Sequence, residues 1–166
     1  MRIIVALLLA VSVFASDKKD VDNPAIDMPG YLRDAAAAAE ARKIRRLSEE
    51  EFIAMSREPG VVILDARSRD WFESRHITGA VNLPFTDFTA AELARVIPSP
   101  ETRILIYCNN NFANDERAMA TKAAPASLNL STWTSLYTYG YRNVYELGPR
   151  LDVNATKIAM KGTGVR

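Results

Sequence analysis

The sequence predicts an α/β fold, a single parallel sheet of short buried strands with helices on both faces. Three observations carry that expectation. Short apolar runs, VVILD (61–65), RILIYC (103–108) and RNVYEL (142–147), are bounded by turn residues, as buried strands are. Helical segments with recognisable caps lie between them. Strands that alternate with helices pair in parallel, because each crossover returns the chain to the same end of the sheet.

The length of 166 residues suits one domain with a substantial core. A hydrophobic content of 48% and a charged content of 25% are those of an ordinary globular chain. The net charge of +1 argues against a nucleic-acid partner, which would call for a basic face or stripe.

The elements follow in order. MRIIVALLLAVSVFAS has one basic residue, Arg2, then an apolar run from Ile3 to Phe14 that closes on Val13-Phe14-Ala15. The run is shorter than the ~20 residues a bilayer span needs, and it reads as a secretory signal cut after Ala15, removing residues 1–15. The mature chain is then near neutral, exported and most simply periplasmic, with no stable membrane insertion. Residues 16–46 form a charged leader, then GYLRDAAAAAEARKI, a strong helix former that serves as a spacer or a packing helix. Ser48 with Glu51 makes a capping box that opens a helix, and Pro59-Gly60 ends it. VVILD is a strand, RSRDWFESRH a polar loop with a short helix, GAVNLP a short strand and TDFTAAELARVI a capped helix. RILIYC is the second buried strand, STWTSLYTY a helix closed by Gly140, and RNVYEL a third clear strand.

In parallel sheets of this kind, ligands bind beyond the carboxyl ends of the strands. Cys108, the only cysteine, stands at such an end, followed by Asn109, Asn110, Asn111 and Phe112. A loop that curls into a helix start there would aim several backbone N–H groups at the sulfur and favour its anionic form. Asparagine tolerates the left-handed backbone that such a loop needs. Equally, a lone cysteine can be a small hydrophobe that finishes a core strand. In an exported chain it has no internal disulfide partner. One cysteine and one histidine do not supply the three or four ligands of a metal site, so no metal or other cofactor is expected.

Taken together, LDARSRDWFESRHITGAVNLP (64–84), ILIYC (104–108) and YTYGYRNVYELG (137–148) closely resemble the rhodanese-like domain family. The resemblance implies one rhodanese-like domain over residues 47–152, with about five parallel strands, and a C-terminal tail over 153–166. It implies sulfurtransferase chemistry in which Cys108 carries sulfur as a persulfide between a small sulfur-containing anion, such as thiosulfate, and a thiol or cyanide acceptor. The amides of Asn109, Asn110, Asn111 and Phe112 would then hold the persulfide. Asp65 and Arg67 match the family's Asp-x-Arg pair and would organise loops around the site. His76 would lock the HITGA turn, while Gly79 and Asn82 meet backbone demands of that turn. CNNNFAND departs from the family pattern in having neither a basic residue nor a glycine, and Asn114 stands where a cysteine phosphatase needs arginine. An insertion at about 112–129 offers Arg117 and Lys122 as anion-binding groups or as solvated surface charges. Trp133, Tyr137, Tyr139 and Tyr141 form either a pocket wall or the buried face of the last helix. The alternative to a sulfurtransferase is a non-catalytic rhodanese fold that binds or senses sulfur compounds. A redox-sensing thiol is a third reading, against which stands the lack of a resolving cysteine.

Overall fold

The computed structural model describes residues 23–165, so the expected signal sequence lies outside the described residues. Among the described residues, no helix is long and apolar enough to cross a membrane.

The first helix, α1 (Met28–Arg42), begins where Asp27 accepts the N–H of Gly30 at 2.8 Å, with a proline in the first turn. Its alanines allow close approach. Ala38 is buried in the core, and the helix docks on α5 (Leu128–Thr138), where Thr138 donates to Asp34 at 3.0 Å. The alanine-rich segment is therefore a packing helix. A two-residue strand the sequence did not announce, β1 (Arg46–Leu47), leads into α2 (Glu49–Ser56). The expected capping box is present: Ser48 Oγ accepts from Glu51 N–H at 3.2 Å, and the Glu51 carboxylate accepts from Ser48 N–H at 2.8 Å.

The chain continues through β2 (Val62–Asp65), α3 (Arg69–Ser74), β3 (His76–Ile77), β4 (Val81–Asn82), α4 (Ala90–Val96) and β5 (Ile104–Tyr107). β6 (Phe112–Ala113), α5, β7 (Val144–Leu147), β8 (Leu151–Asp152) and β9 (Met160–Lys161) complete it. Five strands form one parallel sheet in the order β1-β7-β5-β2-β4, as the predicted fold class requires. β5 is central. Its side chains alternate between the faces with the period of two of a strand. Ile104 and Ile106 pack with Leu93, Trp133 and Leu136 on one side, while Leu105 and Tyr107 pack with Phe52, Phe112 and Ile158 on the other.

Three segments differ from expectation. The helix read as STWTSLYTY starts three residues earlier, at Leu128, with Ser127 at its N-cap. The inserted stretch adds Ala118 and Met119 to the core, because the second face of the sheet has few helices to cover it. The segment read as a C-terminal tail returns to the domain: β9 pairs antiparallel with β3, and Ile158 is buried. Of the aromatic cluster, Trp133 and Tyr141 lie in the core and Tyr137 packs against it, whereas Tyr139 is exposed.

Candidate active site

β5 delivers Cys108 beyond the carboxyl end of the central strand, between β7 and β2. The residue is 1% exposed, yet it forms part of the wall of a cavity of about 220 Å³. Water's share of liquid volume is ~30 Å³, so a small polyatomic anion fits. Asn110, Asn111, Ser127, Asn129, Glu146 and the arginines Arg42 and Arg46 also line it. Polar side chains make up most of this lining, with Ala124, Leu130 and Gly148 completing it.

The chain after Cys108 does not open an α-helix. It makes one 3-10 turn, Asn109–Asn111, and passes directly into β6. In this turn Asn111 N–H donates to the Cys108 carbonyl at 3.1 Å, and Phe112 N–H donates to the Asn109 carbonyl. Two of the four amides expected to hold a persulfide therefore already have carbonyl partners, although the Asn111 N–H also faces the Cys108 side chain in a capping-box arrangement. The first amides of such a turn, those of Asn109 and Asn110, have no acceptor inside it. The helix start near the sulfur is supplied instead by α5, whose N-cap residue Ser127 places its hydroxyl 3.5 Å from Cys108 Sγ. Ser127 Oγ caps none of its own helix amides, which leaves it free to face the sulfur.

The asparagines act through their side chains rather than through a left-handed backbone. Among the described residues other than glycine, only Asn114 has a positive φ, at 65°. Asn109 donates to the Ala120 carbonyl at 2.5 Å. Asn110 pairs with the backbone of Lys122 at two points, accepting at 3.0 Å and donating at 2.9 Å. Asn111 accepts from Cys108 N–H at 2.9 Å and from Asn129 Nδ2 at 3.1 Å, and donates to the carbonyls of Leu147 and Pro149 at 2.6 and 3.3 Å. Side-chain amides both give and accept, so three in a row can tie the cysteine turn to the inserted segment and to the end of β7.

Asp65 and Arg67 are 0% and 1% exposed and form an ion pair at 2.5 Å. Arg67 also donates to the carbonyls of Ala118 (3.1 Å) and Arg75 (2.7 Å), joining the inserted segment to the α3–β3 junction. Burial opposes the Arg67 charge, but the Asp65 hydrogen bonds and charge outweigh it and hold the guanidinium above its ordinary pKa. Tyr107 donates to Asp65 and accepts from Ile77 N–H; burial, reinforced by the Asp65 charge, pushes its phenol well above the usual value. His76 stacks on Phe72 with centroids 3.9 Å apart and places Nδ1 2.7 Å from the Phe72 carbonyl, outside the Cys108 cavity. Gly79 has φ +88°, a turn requirement. Asn82 departs from its expected turn role: it lies in β4 and donates to the carbonyls of Asp65 and Arg67.

Arg117 is exposed, and neither it nor Lys122 lines the Cys108 cavity. Lys122 borders a separate cavity of about 470 Å³ with Trp71, Pro84 and Phe85. The cations that line the Cys108 cavity are Arg42, from the last turn of α1, and Arg46, from β1. Both grip Glu146 of β7, which is 2% exposed: Arg42 bidentately at 2.6 and 2.5 Å, Arg46 at 3.3 Å. One sequence signal for this cluster was available. A glutamate inside the strand segment VYEL, if its side chain faces the interior, requires a cationic partner.

A lone cysteine beyond the central strand of a parallel sheet, in the wall of a mostly polar cavity that two arginines also line, defines a thiol-centred α/β domain. The chain belongs to the rhodanese-like domain family, whose model matches residues 48–147. No curated protein matches it. Among solved structures it is similar to the BH2092 protein of Bacillus halodurans, with 18% identity and a TM-score of 0.51 over 80% of this chain and 88% of that one. It is also similar to a thiosulfate sulfurtransferase from Pseudomonas aeruginosa, with 22% identity and a TM-score of 0.52 over 83% of this chain. This match spans only 24% of the Pseudomonas enzyme. At such identities these similarities speak to the fold.

Proposed function

We propose that the protein is an exported sulfurtransferase that moves sulfane sulfur from an anionic donor such as thiosulfate to a nucleophilic acceptor. The Cys108 thiolate attacks the outer sulfur of thiosulfate. A new S–S bond forms, the old one breaks, and its electron pair leaves with sulfite. The enzyme then carries a persulfide anion on Cys108. Cyanide or a thiolate attacks the terminal sulfur, the enzyme S–S bond breaks, and the Cys108 thiolate returns. This is covalent catalysis divided into two displacements.

The observation that carries this reading is the polar cavity around Cys108, in a chain of the rhodanese-like family. Ser127 Oγ, 3.5 Å from Cys108 Sγ, is a fixed dipole available to a sulfur anion, and the backbone N–H groups of Asn109 and Asn110, unpaired within the turn, would add to it as in an oxyanion hole. Incubated with thiosulfate, the protein should gain the mass of one sulfur atom and lose it to cyanide, and Cys108→Ser should do neither. A wild-type protein that gains no sulfur would leave the non-catalytic binding or sensing module as the better reading.

Export rests on the apolar run Ile3–Phe14 and the residues before Ser16. The protein recovered from a bacterial periplasmic extract should begin at Ser16. Recovery from the cytoplasm with Met1 or Arg2 at its start would remove this part of the proposal.

A further inference from the structure

We propose that Arg46, with Arg42 anchored on Glu146, forms an anion subsite of the Cys108 cavity, so that α1 and β1 belong to the site. This deepens the sulfurtransferase reading and rests on it for the identity of the substrate: the subsite selects donors that carry negative charge. Both arginines precede the family-matched residues 48–147, so the cationic element comes from outside the matched domain.

The geometry separates the roles of the two arginines. Arg42 holds both carboxylate oxygens of Glu146 in a planar fork, so its charge is locally matched. Arg46 has only the longer 3.3 Å contact to Glu146 and a 3.0 Å bond to the Gly148 carbonyl. Guanidinium has five N–H donors, and the Arg46 side chain is 49% exposed, so it retains donors for a ligand. Two guanidiniums face one carboxylate, which leaves one positive charge in the wall of the cavity that Cys108 also lines. The register of the sheet explains the placement: Arg46 of β1 pairs with Glu146 of β7. Arg42 lies one helical turn earlier in sequence, and the docking of α1 on α5 holds its helix in place. Arg45, between them, turns away, donates to the Arg142 carbonyl and does not line the cavity. The Cys turn without a basic residue is thereby compensated by cations from α1 and β1, far earlier in the chain.

Alkylation of Cys108 tests the subsite independently of sulfur transfer. The full chain is treated with iodoacetate, an anion, and with neutral iodoacetamide at low ionic strength, with Cys108→Ser marking the labelled site. In Arg46→Gln the iodoacetate rate should fall roughly fivefold relative to the iodoacetamide rate, the size expected for one nearby, partly screened charge. Arg46→Lys should retain most of the preference. Arg45→Gln, which removes the same charge one residue away, should leave it unchanged, and added salt should weaken it in the wild type. The KM for thiosulfate should rise with Arg46→Gln. An equal rate ratio in wild type and Arg46→Gln overturns the subsite, even if the wild type forms its persulfide. So does a Cys108 that neither reagent reaches. A changed ratio without any persulfide retains the subsite and removes the sulfurtransferase reading instead.

Discussion

Asp65→Ala should cost about 3–5 kcal/mol of folding stability, the usual penalty for removing one partner of a buried ion pair. Asp65 is 0% exposed, and the Arg67 guanidinium it holds is 1% exposed. An arginine cannot escape by releasing its proton, and Asp65 raises the Arg67 pKa further, so the variant would bury an unmatched charge. Tyr107, which donates its hydroxyl to Asp65, would lose its acceptor at the same time. For a domain of this size the fall in Tm should be on the order of 10 °C. Arg67 also links the carbonyls of Ala118 and Arg75, so the damage should reach the segment beside the cysteine turn. Urea unfolding of Asp65→Ala, Arg67→Met and the double variant measures the effect. The double variant should recover part of the loss, because no charge remains buried without a partner. A loss below about 1 kcal/mol in Asp65→Ala would show that the pair behaves as a solvated surface pair.

Asn111→Ala should have the largest effect on the site itself. Its side chain makes four hydrogen bonds, including the one that takes Cys108 N–H and the one to the Leu147 carbonyl at the end of β7. Alanine leaves those groups without partners in a buried region, at about 1–3 kcal/mol for each that water cannot reach. A total near 3 kcal/mol is expected. The thiol should also lose its fixed position beside Ser127, and persulfide formation should slow at least tenfold, as ~1 Å displacements do at reacting centres. The two readouts are unfolding by denaturant and the rate of sulfur uptake from thiosulfate. Unaltered stability with wild-type uptake would show that the turn holds itself without Asn111.

Much of the fold was legible because its signals are local. The run ILIY is apolar on both sides, as a central strand covered on both faces must be, and it is buried at all four positions. Ser48 and Glu51 lie three residues apart, so their capping box needs nothing but the helix they open. β1, β8 and β9 were not legible: each has two residues, too few for a periodic pattern, and each exists because a distant strand offers it an edge. The asparagines were legible as unusual but not in their action. A left-handed turn and a set of side-chain clamps place the same demand on composition, and the backbone positions of Ala120, Lys122 and Leu147 decided between them.

The sequence by itself determined the alternation of strands and helices, the position of Cys108 beyond an apolar strand, and the rhodanese-like pattern from Leu64 to Gly148. These depend on side-chain period, capping and turn chemistry, which act over a few residues. Only the tertiary structure decided which charges line the cavity of Cys108. Arg42 and Glu146 are 104 residues apart and meet because β1 adds to the sheet beside β7 while α1 docks on α5. Arg117 and Lys122, much nearer to Cys108 in sequence, lie outside its cavity, because the inserted segment turns Ala118 and Met119 into the core and leaves both charged residues exposed. The physical reason is general: Coulomb forces depend on distance in space, and strand order sets that distance where chain separation does not.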